Sequence, residues 1–439
     1  MTGWKRIRNF TLAVLVSGLI NVPILSRALV AQTEQHSDWA RWRGPMGNGI
    51  ADASNEVPLT WSETENVAWK VKVPGRGHSS PIIAEGKIFL TTSDMQHKTQ
   101  SVLCFDQTSG KQLWSKIVSR GGLPSKIHPK NTNASPSIAV AKNRMLAVFN
   151  HHDAIYATCF DFAGSEIWQT KVGDYVPDNP FGYGSSPIAE GGLFIISNEN
   201  KTDPAIVALD VETGDQRWRV TRSLPVGYKT DNGWTTSYST PVVADIGGMK
   251  QLLISGINHI ASYDPQTGKE LWKSPASWDV SCGTMVWDEQ SDLVIASGGY
   301  PSKETLAVKA DGSGKQAWTA PVKVYEQSMI VVDGYVYAQA EKGIIYCWNA
   351  ADGKLQWRER FEGPESASPV AIGQQILFTS ENGNTLVIKA NPEKFEKVRV
   401  NHLGDSTFAS MAVCNDRIYT RIAKNENGRL QEYLYCLGK

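Results

Sequence analysis

The stretch GRGHSSPIIAEGKIFLTT, residues 75–92, places His78 beside Ser79 and Ser80 at the head of an apolar run. A histidine next to a serine could act as a general base that activates the hydroxyl as a nucleophile. The same three residues could instead mark only the start of a β-strand. A catalytic pair is expected only once in the chain, whereas the start of a strand can recur in every repeat.

A second group of polar residues occupies the sequence NHHDA, in which His151, His152 and Asp153 are consecutive. Histidine and carboxylate side chains are common zinc ligands, but adjacent residues in a strand connection point in different directions and chelate poorly. We therefore predict no metal site. Motifs typical of hydrolases, metalloproteases and nucleotide-binding proteins do not occur either. A sugar-acting enzyme that uses carboxylates remains an option without specific support.

The pattern around His78 is not unique, because an apolar segment of the same form recurs along the chain. Clear copies are HSSPIIAEGKIFLTT (78–92), NASPSIAVAKNRMLAVF (133–149), YGSSPIAEGGLFIIS (183–197), YSTPVVADIGGMKQLLIS (238–255) and SASPVAIGQQILFTS (366–380). Weaker copies begin at residues 281, 327 and 408. Only the first copy has a histidine before its serines, so we predict that Ser79 and Ser80 initiate a strand and are not catalytic.

Each copy is followed by a second signature, in which a strand leads through a glycine turn into a second strand ending in tryptophan. Good examples are LCFDQTSGKQLW (103–114), ALDVETGDQRW (208–218) and SYDPQTGKELW (262–272). Glycine adopts the positive φ that such a hairpin requires. The tryptophans of this pattern are Trp69, Trp114, Trp168, Trp218, Trp272, Trp318 and Trp357, at intervals of 39 to 54 residues.

Each period therefore contains four short strands, which is typical of a β-propeller. We predict an all-β, eight-bladed β-propeller with four-stranded blades. The eighth unit (408–437) lacks a tryptophan strand, and NVAWKVKV (66–73) is available to complete it. Pairing of this N-terminal strand with the C-terminal blade would close the ring and remove exposed sheet edges.

The N-terminus predicts export. A basic segment precedes the apolar FTLAVLVSGLI, and small residues follow, so we assign residues 1–31 as a signal peptide, with an uncleaved anchor as the alternative. Residues 32–60 are then an N-terminal arm that we place outside the ring, and 61–439 form the propeller. No membrane span is expected after signal cleavage. The protein is predicted to be periplasmic or secreted, and a monomer is expected.

Charge excludes one class of partner. The chain has 44 basic and 44 acidic residues, and residues 1–31 hold four of the basic ones and none of the acidic ones. The rest of the chain is therefore slightly acidic, which argues against nucleic acid as a partner.

The turn signature also carries a family resemblance. Ala208, Asp210, Thr213, Gly214 and Trp218 form a pattern that resembles the tryptophan-docking motif of pyrroloquinoline-quinone (PQQ) repeat propellers. That superfamily includes quinoprotein dehydrogenases and BamB-like assembly scaffolds. The resemblance covers roughly residues 61–437, and WARWRGPMGNGI (39–50) resembles secreted bacterial members. It implies that the seven tryptophans dock structurally on neighbouring blades, and it is specific for the fold more than for an activity.

The resemblance implies two functional classes. In the quinoprotein enzymes PQQ lies across the central channel with Ca²⁺. This chain has six cysteines but no adjacent pair, no Cys-x-x-Cys-His haem motif and no recognisable Ca²⁺ ligand set. We therefore predict no cofactor and a non-catalytic scaffold that binds an envelope protein, peptide or glycan, with a PQQ- and Ca²⁺-dependent dehydrogenase acting on an alcohol or sugar as the alternative.

Loops at one face of a propeller are where a ligand would bind. Polar and aromatic residues of strand connections are expected to share that face. The candidates are Arg76, His78, Asn133, His151, His152, Asp153, Tyr183, Glu199, Trp234, His259, Glu381 and Arg421. The cysteines are expected to be buried and unpaired, with Cys414 and Cys436 as the one pair whose disulfide is worth checking.

Overall fold

The computed structural model describes Met1 and residues 38–438, apart from 125–126, 177–179 and 223–235. The predicted signal segment and Trp234 lie outside the described residues. Secondary structure in the described ranges consists of strands, turns and loops, without helices. In this part of the chain there is accordingly no helix of the length and hydrophobicity needed to cross a membrane.

Eight four-stranded antiparallel sheets form the blades of a β-propeller, and the predicted fold is confirmed. We number the blades along the chain and give their strands from the innermost to the outermost. Blades 1 to 4 comprise Ile82–Ala84, Lys87–Asp94, Thr99–Asp106 and Gln112–Arg120; Ala139–Ala141, Arg144–His151, Ala154–Asp161 and Glu166–Asp174; Ile188–Glu190, Leu193–Asn198, Ala205–Asp210 and Gln216–Thr221; Val242–Ile246, Met249–Ser255, His259–Tyr263 and Glu270–Pro275.

The remaining blades follow the same order, except that blade 8 takes its outermost strand from the N-terminal part of the chain. Blades 5 to 8 comprise Val286–Asp288, Leu293–Gly298, Glu304–Lys309 and Gln316–Ala320; Ile330–Val332, Tyr335–Ala340, Ile344–Asn349 and Leu355–Arg360; Val370–Ile372, Gln375–Thr379, Asn384–Lys389 and Lys397–His402; Ala412–Cys414, Arg417–Glu426, Arg429–Leu437 and Val67–Val73. A short ribbon of Trp278–Val280 and Tyr300–Pro301 lies beside blade 5 in sequence. The antiparallel pairing of Val67–Val73 with Arg429–Leu437 closes the ring as the sequence predicted.

The hydrophobic core lies between neighbouring blades. The three inner strands of a blade are buried on both faces, so they are almost continuously apolar, whereas the outermost strand is largely exposed. Between blades 1 and 2, for example, Phe89 and Phe149 belong to one buried cluster, and similar clusters fill other junctions. Each sheet is therefore stabilised mainly by the two sheets that flank it.

The repeated tryptophans contact the next blade. Trp318 of blade 5 lies against Gly353 in the turn of blade 6, and its indole N–H donates to the Ala350 carbonyl at 2.8 Å. A Cβ atom on residue 353 would lie 2.6 Å from the indole, and the φ of Gly353 is +70°. Both the close contact and the positive φ therefore favour glycine at this position. Trp69, Trp114, Trp168, Trp218 and Trp272 lie against the equivalent glycines of their next blades. Blade 7 lacks that glycine, and there Trp357 packs edge-on against Phe395 at 5.5 Å.

The described part of the N-terminal arm does not lie wholly outside the ring, as was expected from the sequence, because residues 39–51 enter the central channel. Residues 50–51 pair in parallel with the innermost strand of blade 7, on the side that faces the central channel. The Trp39 and Ala40 carbonyls accept hydrogen bonds from the innermost strands of blades 1 and 2, and Arg43 donates to the Met329 carbonyl of blade 6 at 2.7 Å. The repeats do not indicate this path, because WARWRG shares no period with the blades.

From the channel the arm continues past blade 8 to the outer edge of the ring. The Asn55 side chain accepts a hydrogen bond from the Asp416 N–H at 3.0 Å, and the Asp416 carboxylate accepts one from the Glu56 N–H at 2.7 Å. The backbone N–H of Trp61 then donates to the side-chain oxygen of Asn401 in blade 7 at 3.2 Å, before the chain reaches Val67. The arm therefore connects the base of the channel to the strand that closes the ring.

The cysteines are unpaired. Cys414 and Cys436 do not form a disulfide, and both are fully buried. Burial raises the pKa of the Cys414 thiol to about 11 and the pKa of Cys104 to about 12. These thiols are therefore protonated and pack as small apolar side chains.

Candidate functional site

A ring of hydroxyl groups joins the eight blades around the channel. One serine or threonine precedes each innermost strand by two residues, and its backbone N–H donates to the hydroxyl of the equivalent residue in the next blade. Seven junctions share this bond, at 2.9 to 3.0 Å, with the donors Ser80, Ser137, Ser186, Thr284, Ser328, Ser368 and Ser410. At the remaining junction the Thr284 hydroxyl donates to the Thr240 carbonyl at 3.2 Å. We call these residues the hydroxyl ring.

The hydroxyls of Ser79 and Ser80 hydrogen-bond to backbone groups and not to the neighbouring His78. The Ser80 hydroxyl accepts from the Ser410 N–H, and the Ser79 hydroxyl accepts from the Thr91 N–H and donates to the Thr91 carbonyl. Both hydroxyls thus serve the backbone of blades 8 and 1. The repeated serine is a connector between blades, as its recurrence in the sequence indicates.

Two residues before each member of the hydroxyl ring, the chain presents a more variable side chain. These positions are His78, Ser135, Gly184, Tyr238, Cys282, Glu326, Ser366 and Phe408. All eight are partly exposed and all eight line one central cavity of about 380 Å³. The hydroxyl ring therefore holds the blades together, while this variable layer sets the chemistry of the cavity.

We call this cavity the cup. Trp42 of the arm lines it together with five members of the hydroxyl ring, and the arm pairs with the innermost strands three residues beyond that ring, at Ile83 and Ala371. Trp42 therefore forms the floor, and the variable layer forms the wall. Phe181 and Tyr238 contact each other edge to face at 6.5 Å, and aromatic rings make up much of that wall.

One side of the cup is charged. Lys130 Nζ lies 3.1 Å from Glu326 Oε1 and 2.7 Å from Glu381 Oε1. Burial alone would lower the pKa of this ammonium, but the bonds to Glu381 and Glu326 raise it above its ordinary value. Burial, and after it repulsion by Glu381, raises the pKa of neighbouring Glu365 to about 7.

Another part of the lining is neutral. The His78 ring stacks on Phe408 with centroids 4.3 Å apart, and its Nε2 is buried without a hydrogen-bond partner. Burial, followed by the guanidinium groups of Arg421 and Arg76, lowers the pKa of His78 to about 3. The imidazole is therefore uncharged at neutral pH, and the cup combines apolar aromatic surface with a patch of carboxylates.

The cup contains one thiol, that of Cys282, whose reactivity depends on its protonation state. Burial raises the pKa of the Cys282 thiol far above neutrality, so it is not a thiolate nucleophile. Among the described residues no three His, Cys, Asp or Glu side chains converge closely enough to hold a metal ion. What the arrangement offers is a concave surface with oriented polar groups, which is typical of a binding site.

Of the residues predicted for this face, His78 lines the cup and Glu381 reaches it through Lys130. Arg76 and Arg421 lie beside His78, where both bind the buried carboxylate of Glu432. Arg421 also donates to the Ser79 hydroxyl at 3.1 Å and so ties blade 8 to blade 1. These two arginines are placed to join the ring and do not line the cup.

The histidine pair forms a small structural cluster. His152 and Asp153 have φ values of +50° and +57°, which is the conformation of a two-residue hairpin turn. His151 stacks on Tyr156 at 4.3 Å, and its Nδ1 lies 2.9 Å from that of His152. Burial, followed by His152, lowers the pKa of His151 to about 4.

The remaining candidates are also away from the cup. The Tyr183 hydroxyl donates to the Ser197 carbonyl at 2.8 Å, and Glu199 pairs with Arg222 in a buried contact. His259 Nδ1 lies 2.7 Å from the Ile257 carbonyl, and burial lowers the pKa of this histidine to about 3. The Asn133 amide lies 3.2 Å from a methionine sulfur in blade 1.

Most residues that line the cup are not among the candidates predicted from the sequence. Those of the variable layer were available in principle, because each precedes a repeated serine or threonine by the same two residues. Aligning the repeats on that hydroxyl would have identified them. His128, Lys130, Phe181 and Tyr325 come from the longer loops, and Trp42 comes from the arm, so no repeat pattern marks them.

Comparison with known proteins places the fold in a family. The family model described as outer membrane protein assembly factor BamB, a PQQ-repeat model, matches residues 50–116, 98–359 and 302–398. The outer membrane protein assembly factor BamB of Burkholderia pseudomallei (strain K96243) is 21% identical over 266 residues, which cover 50% of this chain and 65% of that protein. The chain therefore spans just under two thirds of that relative's length.

Solved structures of two kinds share the architecture. BamB from Moraxella catarrhalis superposes with a TM-score of 0.57 at 13% identity, covering 84% of this chain and 99% of that one. A europium-containing methanol dehydrogenase gives a TM-score of 0.52 at 11% identity, covering 91% and 97%. At these identities the likeness concerns the fold alone. Because the family model matches well over half of the sequence, this chain belongs to the PQQ-repeat propeller family of the outer membrane protein assembly factor BamB.

Proposed function

We propose that this protein is an exported, non-catalytic binding scaffold of the cell envelope that holds a segment of a protein, peptide or glycan at the mouth of the cup. One observation carries the proposal: a pre-formed, aromatic-walled cavity of about 380 Å³, closed below by Trp42 and framed by all eight blades. A rigid surface of this kind binds without a large ordering cost.

The chemistry of the lining supports binding more than catalysis. The hydroxyl ring bonds neighbouring blades, Cys282 is protonated, and His78 is neutral and stacked on Phe408. No member of this set pairs an activated nucleophile with a base. An envelope location fits both the basic and apolar N-terminal sequence and the relative whose name describes outer-membrane protein assembly. A partner among envelope proteins and a monomeric state belong to the same proposal.

The lining does not fit PQQ well. This quinone carries three carboxylates, which require cationic partners. Lys130 is the ammonium in the cup wall, and it is already bonded to Glu326 and Glu381, with Glu365 close by. An anionic cofactor would therefore meet an acidic wall, so we propose that no cofactor binds there.

Site-specific photo-crosslinking tests the scaffold function. A benzophenone amino acid at Tyr238, in the cup wall, should crosslink a defined partner in the envelope fraction of producing cells. The same probe at Leu113, which is exposed on the outer edge of blade 1, is the control and should give no such product. Equal products at both positions would contradict binding at the cup.

Titration with PQQ and Ca²⁺ tests the alternative. A ligand that binds only the native state raises the melting temperature by mass action. We expect no saturable change in quinone absorbance or melting temperature at millimolar Ca²⁺. A saturable change in both signals that is lost in Tyr238→Ala would refute the scaffold proposal in favour of a quinoprotein dehydrogenase.

A further inference from the structure

The charged side of the cup is short of hydrogen-bond donors. Ser366 Oγ lies 2.6 Å from Glu326 Oε2 and also 2.6 Å from Glu381 Oε1. A hydroxyl has one proton, so it can donate to only one of these carboxylates at a time. Lys130 supplies the other donors, and its ammonium is shared between the same two groups.

The same side is also short of positive charge. Glu365 is buried, accepts from Gln339 at 2.7 Å and is repelled by Glu381 and Glu326. Together with these two it makes three carboxyl groups around the ammonium of Lys130. We call these four residues the acidic cluster. Burial, and after it repulsion by Glu381, raises the pKa of Glu365 to about 7, so this carboxyl group is partly protonated near neutral pH.

Aromatic rings line the same cavity as this cluster. Tyr238, Phe408 and the floor residue Trp42 belong to the lining, and neutral His78 adds no repulsion. The faces of such rings attract cations, most strongly where water is excluded. A neighbouring contact illustrates the effect, because the Lys323 ammonium lies 5.0 Å from the centre of the Tyr325 ring. An ammonium group entering the cup would thus meet both carboxylates and aromatic rings.

From this geometry we infer that the cup receives the side chain of a lysine in an extended segment of the partner protein, whose ammonium bonds to the acidic cluster while its methylene chain packs on the aromatic wall. The inference rests on the proposed scaffold function and names the residue type that the scaffold recognises. A lysine side chain suits the site because it unites a long apolar stem with a compact cation.

Calorimetric titration of the mature protein with two synthetic peptides tests this inference. One is acetyl-Gly-Ser-Lys-Ser-Gly-amide, and the other has norleucine in place of lysine, which keeps the stem and removes the charge. We expect saturable binding of the lysine peptide, at least tenfold weaker binding of the norleucine peptide, and weakening of the former with added salt.

Three variants locate the interaction. Glu326→Gln should weaken the lysine peptide roughly tenfold by removing a carboxylate from the cluster, whereas Glu85→Gln, in a turn at the other end of the innermost strand of blade 1, should leave it unchanged. Because Glu326→Gln could also disturb Lys130, Phe408→Leu is a second test, which removes a ring face but keeps apolar volume. Melting temperatures establish that each variant is folded.

The outcomes separate the two proposals. Equal affinity for the two peptides, or equal affinity of Glu326→Gln and the unmodified protein, would overturn the lysine inference. Binding of a glucosamine oligomer without binding of the lysine peptide would also overturn it, since the cation would then belong to a glycan. If photo-crosslinking at Tyr238 still captures a partner in these cases, the scaffold function stands without lysine recognition; loss of that crosslink contradicts the scaffold itself.

Discussion

Ser328→Ala should destabilise the propeller, because it removes one acceptor from the hydroxyl ring. The Thr284 N–H donates to the Ser328 hydroxyl at 3.0 Å, and both residues are buried. A buried donor left without a partner costs about 1–3 kcal/mol. Ser328→Thr keeps the hydroxyl, and threonine already occupies two of the ring positions, so this variant should lose much less.

The expected change in melting temperature is small but measurable. Unfolding entropy near 60 °C is about 2.1 cal/mol/K per residue, so a unit of roughly 400 residues changes by about 0.8 kcal/mol per degree. A loss of about 2 kcal/mol, within the range for an unsatisfied buried donor, should therefore lower the melting temperature by about 2–3 °C. Differential scanning calorimetry and urea titration should both rank the unmodified protein as the most stable, Ser328→Thr next and Ser328→Ala last.

The control is Ser313→Ala, in an exposed turn of blade 5, whose effect should stay within about 0.5 kcal/mol. If Ser328→Ala is no more destabilising than this control, the ring bond contributes nothing measurable. If Ser328→Thr is as damaging as Ser328→Ala, the site responds to side-chain size, and the argument from the unsatisfied N–H is refuted.

Three further predictions concern charge and packing. The pKa of Glu365 is about 7 in the folded protein against an ordinary 4.5, so between these pH values the unfolded chain has lost a proton that the folded protein still holds. The free energy of unfolding should therefore fall as the pH rises from about 4.5 to 7. In urea titrations, Glu365→Gln should reduce this dependence on pH. Gly353→Ala should destabilise more than Gly373→Ala, because both have positive φ but a Cβ atom meets a neighbour only at the first, and melting temperatures compare them directly. Glu432→Gln leaves buried Arg421 without its counter-charge and should cost about 3 kcal/mol by calorimetry, a value that an effect below about 1 kcal/mol would contradict.

The repeats carried most of the information about the fold. A strand pair headed by serine or threonine and a second pair ending in tryptophan alternate along the chain, and neither pattern forms a helix. The outermost strand of blade 8 could be predicted from the sequence, because Trp69 matches the tryptophans of the other outermost strands. The arm could not be placed, since its contacts are backbone bonds to distant strands, such as those of Ala371 and Ile372 with residues 50–51.

The candidate site was predicted less well, for a geometric reason. His151 ends the second strand of blade 2 and His259 begins the third strand of blade 4, so each flanks the loop between those two strands. Neighbouring strands are about 4.8 Å apart, so these loops lie one or two strand spacings further from the axis than the loops that precede the innermost strands. These histidines therefore do not reach the cup, although their loops open on the same face of the propeller. His78 precedes an innermost strand and does line the cup.

The course of the N-terminal arm also determines when the proposed binding site can form during synthesis. Val67–Val73 is synthesised before the first blade but can pair only with Arg429–Leu437 of the last blade. Phe408 and Ser410, which complete the wall and the hydroxyl ring, belong to the same final blade. A chain interrupted after blade 7 thus has an open ring with two unpaired edges and an unfinished cup. The proposed binding site is therefore complete only in a chain that includes blade 8.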